Sequence, residues 1–242
     1  MPDPPAVQET ASKPAAPPRS YKRLIQISAN MLFWTAAVFV SAGRINWLRG
    51  WVCVATNVIC MTAAGFVVRR RNPGLIETRS KWRHKGTKSF DKVMLAIYLP
   101  LTFFQPIVAG LDVVRFRWSA MPFWTLYLGI LLYAVAIIPI TWVMIVNPFA
   151  EPSVRIQTDR GHIVVSSGPY RFVRHPLYLG AIVMYPSTAL VLGSMWALAV
   201  AALLGVLMVV RTALEDRTLR RELPGYEAFT AVTRYRLVPG LW

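Results

Sequence analysis

Leu177 to Val210 reads LYLGAIVMYPSTALVLGSMWALAVAALLGVLMVV, 34 residues without one charged side chain. A helix crosses about 30 Å of hydrocarbon with roughly 20 residues. The run is therefore too long for one ordinary span and just long enough for two short ones. Gly193-Ser194 is its only obvious turn, so the stretch predicts a tight helical hairpin. A hairpin returns the chain to the side of the membrane it left. Two polar segments flank the run, GPYRFVRHPLYLG from Gly168 to Gly180 and RTALEDRTLRRE from Arg211 to Glu222. If the run folds back on itself, these two meet.

Composition sets the solvent. The 242 residues are 55% hydrophobic and 16% charged, whereas charged residues reach about a quarter in ordinary soluble domains. The chain reads as an integral membrane protein. A net charge of +16 would suggest nucleic acid in a soluble protein. Here the basic residues sit in short runs between apolar blocks, where topology and anionic lipid account for them. Nucleic acid is accordingly not an expected partner; membrane lipids are.

Residues 1–20 are rich in Pro and Ala and hold no apolar run, the composition of a disordered tail. No cleavable signal pattern follows. Further apolar blocks run from Leu24 to Ala42, Trp47 to Val68, Val93 to Val114 and Phe123 to Val146. With the hairpin they predict six spans. Lys and Arg test that count: with a cytoplasmic N-terminus, 23 of the 27 fall on one side, leaving Arg44, Arg49, Arg115 and Arg117 on the other. Such asymmetry is the positive-inside pattern. Reading the last run as a single span would put the C-terminal six on the wrong side.

Within the spans, Pro100, Pro106, Pro139 and Pro186 are shaping residues, since each removes a backbone hydrogen bond. Asn30, Asn57 and Gln105 are expected to bond between helices, and Asp112, beside Arg115, to reach the interface. No chain of intramembrane acids suits a proton-coupled transporter. Cys53 and Cys60 share a helix face too far apart for a disulfide. His84, His162 and His175 lack zinc-ligand spacing, and no metal site is expected. No GxSxG or Walker loop occurs, which argues against a hydrolase or an ATPase.

The loop from Asn147 holds NP, EP and DRG turn formers, with Ile163 to Val165 as its one strand-like piece. Gly168-Pro169 predicts a sharp bend, and His175-Pro176 a helix start. Arg211 and Glu215, at i and i+4, share a helix face; they read either as an intrahelical salt bridge or as a cation and anion that match a zwitterionic ligand. His175 is placed to hydrogen-bond or titrate beside them.

GPYRFVRHPLYLG, followed by a hydrophobic hairpin, then R-x-x-x-E-D, YEAF and RYRLVPGLW, resembles the isoprenylcysteine carboxyl methyltransferase family, in the wider group that includes the phospholipid methyltransferases. The likeness runs from Asn147 to Trp242. It implies S-adenosylmethionine as methyl donor, with S-adenosylhomocysteine as product. Gly168, Tyr170, His175, Pro176, Tyr178 and Gly180 would line its pocket, and Val165 would offer backbone contacts to adenine. Arg211 and Glu215 would grip the methionine moiety and fix the reacting geometry, and Arg174 would contact substrate. Asp216 stands where relatives often carry a second Glu, and Phe229 where many carry Tyr.

The resulting expectation is an all-α integral membrane protein of about six transmembrane helices with both termini cytoplasmic. Residues 21–146 form four spans on the substrate side. Residues 147–242 form a cytoplasmic cofactor-binding loop, the hairpin and a C-terminal helical segment. The acceptor is a lipophilic small molecule: an isoprenylcysteine-like carboxylate, a phospholipid amine, another lipid carboxylate or a small thiol. Two other readings stand beside it, an NADPH-dependent membrane lipid or sterol-type reductase and a non-enzymatic scaffold or transporter.

Overall fold

The computed structural model describes residues 21–79 and 85–242; the tail at 1–20 and His84 lie outside them. Eight α-helices occur among the described residues: α1 Tyr21–Ala42, α2 Leu48–Arg71, α3 Pro73–Arg79, α4 Ser89–Gly110, α5 Trp124–Val146, α6 Pro176–Leu192, α7 Met195–Glu222 and α8 Tyr226–Val232. α4 runs on through a π-helical turn at Leu111–Phe116. α2, α4 with that turn, α5 and α7 are long and apolar enough to cross a membrane, while α6 and the Ile27–Ala42 part of α1 are shorter. α6, at 17 residues, measures about 25 Å at 1.5 Å per residue. Large apolar side chains such as Leu32, Ile59, Leu131 and Val206 are exposed, as a lipid-facing exterior requires.

The long apolar run does fold as a hairpin. Gly193 closes α6 at φ +81°, its N–H donating to the carbonyls of Ala189 and Leu190, and Ser194 opens α7 by accepting from Ala197 N at 2.9 Å. That left-handed backbone is strained for any residue with a Cβ, and a Cβ there would also meet Arg49 Nη1 at 2.7 Å. Arg49 donates from Nη1 to the carbonyls of Leu190 and Val191 at 3.1 and 3.4 Å. It thereby satisfies acceptors that a helix end leaves open.

Asp112 does not reach the surface as its neighbourhood suggested. It is fully buried and accepts from Ser119 Oγ at 2.6 Å and Ser194 Oγ at 2.5 Å. The π-helical turn carries it inward, so the acid ties the end of α4 to the hairpin turn. Gln105 donates to Tyr185 O at 2.8 Å and Asn57 to Tyr133 Oη at 2.8 Å, interhelical bonds of the expected kind. Asn30 is exposed. Cys53 and Cys60 are free, and the four prolines lie inside α4, α5 and α6. Ile163 to Val165 belongs to no helix and pairs with no strand among the described residues.

α5 and α6 make the closest helix pair. A Cβ on Gly129 would stand 2.7 Å from Val191 N, and one on Gly180 2.7 Å from Ala136 O. Small residues that let backbones approach are a usual device where no hydrophobic drive separates helix from lipid. α2 packs on α5, and α1 and α7 pack on α4. The loop from Asn147 to Arg174 and the C-terminal segment close over the end of this bundle where α4 begins and α7 ends.

Candidate active site

A cavity of about 320 Å³ lies under that loop, at the lower end of the roughly 300–1,000 Å³ usual for small-molecule sites. Its wall is polar on the loop side. Toward the helices it becomes apolar through Leu95, Leu99, Ala181 and Met208.

The loop owes its shape to its own polar residues. Asn147, which caps α5, accepts from Phe149 N at 2.8 Å and donates to Tyr170 Oη at 2.6 Å, a side-chain turn that also aims Tyr170 at the cavity. Burial pushes the Tyr170 hydroxyl above its ordinary pKa, so it stays a neutral hydrogen-bonding group. Arg155 joins Glu151 at 2.8 Å to Asp159 at 2.7 Å, and Gln157 Nε2 donates to Phe149 O at 2.7 Å. His162 packs on Phe149 with ring centroids 4.6 Å apart and accepts from Gln157 N at 3.3 Å on Nδ1. Burial pulls its pKa below the usual 6.5, with Arg155 and Arg160 acting in the same sense and Glu151 against it.

The opposite wall comes from α6 and α7, joined by the hairpin. Tyr178 donates its hydroxyl to Glu215 Oε2 across the two helices. Arg211 does not pair with Glu215 along its own helix. It donates from Nε to Asp91 Oδ1 at 2.8 Å and from Nη2 to Pro152 O at 2.6 Å, with its guanidinium 5.3 Å from the Tyr178 ring centroid. Nη1 of Arg211 and Oε1 of Glu215 are left without protein partners among the described residues. A donor cation and an acceptor anion thus line one cavity, each held from behind.

Asp216 gathers the cations. It accepts from Arg174 Nε at 2.8 Å and Nη2 at 3.2 Å, from Arg236 Nε at 3.0 Å and from Tyr226 Oη at 3.1 Å, with His175 Nε2 at 3.4 Å. Arg174 also donates from Nη1 to the Thr233 and Arg234 carbonyls at 2.9 and 2.6 Å. Its backbone N–H and that of His175 bond to Tyr235 O and Arg236 O, both at 2.9 Å. The guanidinium expected to meet substrate is therefore committed to strapping the C-terminal segment against the RHP motif.

Of the site residues named from sequence, Val165, Tyr170, Arg174, His175, Pro176, Tyr178, Arg211 and Glu215 line the cavity. Gly168 and Gly180 do not. Gly168, at φ +60°, makes the bend before Tyr170, where a Cβ would press on Trp142 and Val146, and Gly180 lets α6 approach α5. Sequence reading missed Asp91, which also accepts from Val154 N at 2.7 Å and so pins loop, α4 and α7 together. Its signal was being the only acid between Glu77 and Asp112. Arg79, on the cavity wall, was submerged in a basic run. Among the described residues no cluster of three metal-ligating side chains occurs.

Residues 124–223 match a family described as phospholipid methyltransferase, the wider group that the RHP motif resembles. The matched segment begins with α5 and ends just past α7, so it contains the loop, the RHP motif and the hairpin. The family implies a membrane methyltransferase. No curated protein matches the chain.

Proposed function

We propose that the protein transfers a methyl group from S-adenosylmethionine to a lipophilic acceptor at the cytoplasmic face of the membrane, within a six-span arrangement. The observation that carries this reading is the Tyr178–Glu215 bond beside Arg211 in a cavity polar at one end and apolar at the other. A zwitterionic amino-acid moiety fits the free Glu215 Oε1 and Arg211 Nη1, and Tyr170, Phe149 and Val165 supply flat and backbone surfaces for a base. The bound cofactor supplies an electrophilic methyl group on a sulfonium.

The chain's own part is positional. Holding a nucleophile and a methyl group in line near contact distance accounts for much of the barrier in such a displacement. A carboxylate or thiolate acceptor attacks without losing a proton; an amine needs a base, and Glu215 is the carboxylate on the cavity wall placed for that role. Asp91 fixes Arg211, and Tyr178 fixes Glu215. Leu95, Leu99, Ala181 and Met208 line the cavity toward the helices, where an acceptor's hydrocarbon would lie away from water.

Calorimetry of the purified protein with S-adenosylhomocysteine tests the reading. Micromolar binding is expected, with Glu215→Gln and Tyr178→Phe each losing about 1.5–3 kcal/mol for a hydrogen bond to a charged group, roughly ten- to more than a hundredfold. No binding to the folded wild type, or stabilisation by NADPH alone, would overturn it. Labelled methyl donor and a total lipid extract then identify the acceptor.

A further inference from the structure

The end of the bundle opposite the cavity, where the hairpin turns, is cationic and shows no exposed acid among the described residues. Arg44 stands there in the α1–α2 connection, with Arg49, Arg115 and Arg117. Asp112, the only acid between Asp91 and Glu151, is fully buried at this end on Ser119 and Ser194. Arg49 is engaged by the hairpin turn. Arg115 and Arg117 are exposed, and neither guanidinium has a protein partner among the described residues.

Beside them an almost wholly apolar groove of about 390 Å³ opens between α4 and α7. Phe104 and Leu111 line one side, Ala199 and Leu203 the other. Phe104 to Leu111 and Trp196 to Leu203 each cover two helical turns, so the groove runs about 10 Å along the helices. Trp118 and Trp196 close its outer end with ring centroids 6.2 Å apart, and Phe116 stacks on Trp118 at 4.7 Å. Their indole N–H groups have no protein acceptor among the described residues. Trp118 reaches this place through Arg117, the one residue besides glycine at positive φ, +56°, among the described residues. The N–H groups of Arg117 and Trp118 both donate to Asp112 O. That left-handed turn is strained for a residue with a Cβ, yet the position carries a guanidinium where glycine would be relaxed.

We infer that this groove holds an acyl chain of an anionic phospholipid from the surrounding bilayer, with the lipid's phosphate at Arg115, Arg117 and the two indole N–H groups. Tryptophan rings sit at headgroup level in membrane proteins, which puts the phosphate at the groove's outer end and the chain along α4 and α7. Unpaired guanidiniums with no exposed acid near them select an anionic head over a zwitterionic one. A second copy of this chain is a poorer occupant, because a two-fold contact here would set the same arginines against each other. The site lies at the far end of the bundle from the cavity and is independent of what the cavity binds.

The test places full-length protein in phosphatidylcholine vesicles at low ionic strength and substitutes rising fractions of phosphatidylglycerol or phosphatidylcholine with brominated chains, which quench nearby tryptophan. The share of quenching missing from the Trp118→Phe/Trp196→Phe variant reports the groove. Brominated phosphatidylglycerol is expected to produce that share at roughly thirtyfold lower mole fraction than brominated phosphatidylcholine, since each arginine near a headgroup contributes about fivefold. Arg115→Gln/Arg117→Gln should abolish the difference, and added salt should shrink it. Arg117→Gly should lose about fivefold while the unfolding temperature in neutral detergent holds, because glycine relaxes the left-handed turn. Ala199→Phe, at an exposed position of the groove, should remove the preference by filling the chain's place. The inference is overturned if the two lipids quench alike, if the preference survives loss of both arginines, or if Ala199→Phe leaves it unchanged. Tryptophans shielded from both lipids would also overturn it and give the groove to a second copy of the chain.

Discussion

Removing Asp216 should damage the protein more than removing the arginine it faces. The Arg174–Asp216 pair is dry, with side chains 2% and 1% exposed. Asp216→Ala strands the buried Arg174 with two carbonyls as its only partners, and it leaves Arg236 and Arg220, at 3.0 and 3.3 Å from the carboxylate, crowded around a lost anion. Breaking a buried pair this way costs about 3–5 kcal/mol. Arg174→Met is milder, because Asp216 keeps Arg236 and Tyr226. With Asp216 still paired, its cost is mainly the bonding to the Thr233 and Arg234 carbonyls, at roughly 1 kcal/mol each. The single variants should therefore differ by at least about 1 kcal/mol, and the double variant should fall short of their sum by about 2 kcal/mol, within the range for residues of one network. Reversible unfolding in mixed detergent, followed by circular dichroism, gives the stabilities; calorimetry with S-adenosylhomocysteine shows whether the strap's loss reaches the cavity. Equal single-variant costs that add within about 0.5 kcal/mol would refute the reasoning.

Gly129→Ala should cost about 1–3 kcal/mol, the usual toll of overpacking, because its Cβ would meet backbone at Val191 N and Ser187 O, which cannot rotate away; thermal unfolding checks it, against Gly205→Ala, which has open space. His162 makes the loop acid-sensitive. Its folded pKa lies below 6.5, so the unfolded chain binds the proton first; its stabilisation is complete above 6.5 and is lost as pH falls toward the folded value. His162→Gln should flatten the fall in unfolding temperature between about pH 6.5 and 5, and an unchanged slope would count against the assignment.

Much of this architecture was legible because bilayers and helices impose strict lengths and periods. The Leu177–Val210 run, its Gly193-Ser194 turn, the helix start at His175-Pro176 and the bend at Gly168 are local events, set by a few adjacent residues and their solvent. The pairing of charges was not. Arg211 has Glu215 one turn away on its own helix and yet bonds Asp91, 120 positions distant; Asp112, beside Arg115, turns inward to cap a helix pair. A guanidinium's choice of partner depends on which carboxylate packing has brought within 3 Å and stripped of water, and no spacing along the chain records that.

By itself the sequence determined that this is an all-helical membrane protein whose two polar segments meet across a hairpin, since 34 uncharged residues broken by Gly193-Ser194 satisfy their backbone in lipid as two helices. Only the tertiary structure decided what those segments hold in place: that Asp216 binds a strap, that Gly180 serves helix contact and not the cavity, and that Arg211 is held by Asp91 and not by Glu215 on its own helix. These depend on distances between elements far apart in the chain, which the packing of α4 and α7 and the close approach of α5 to α6 set together.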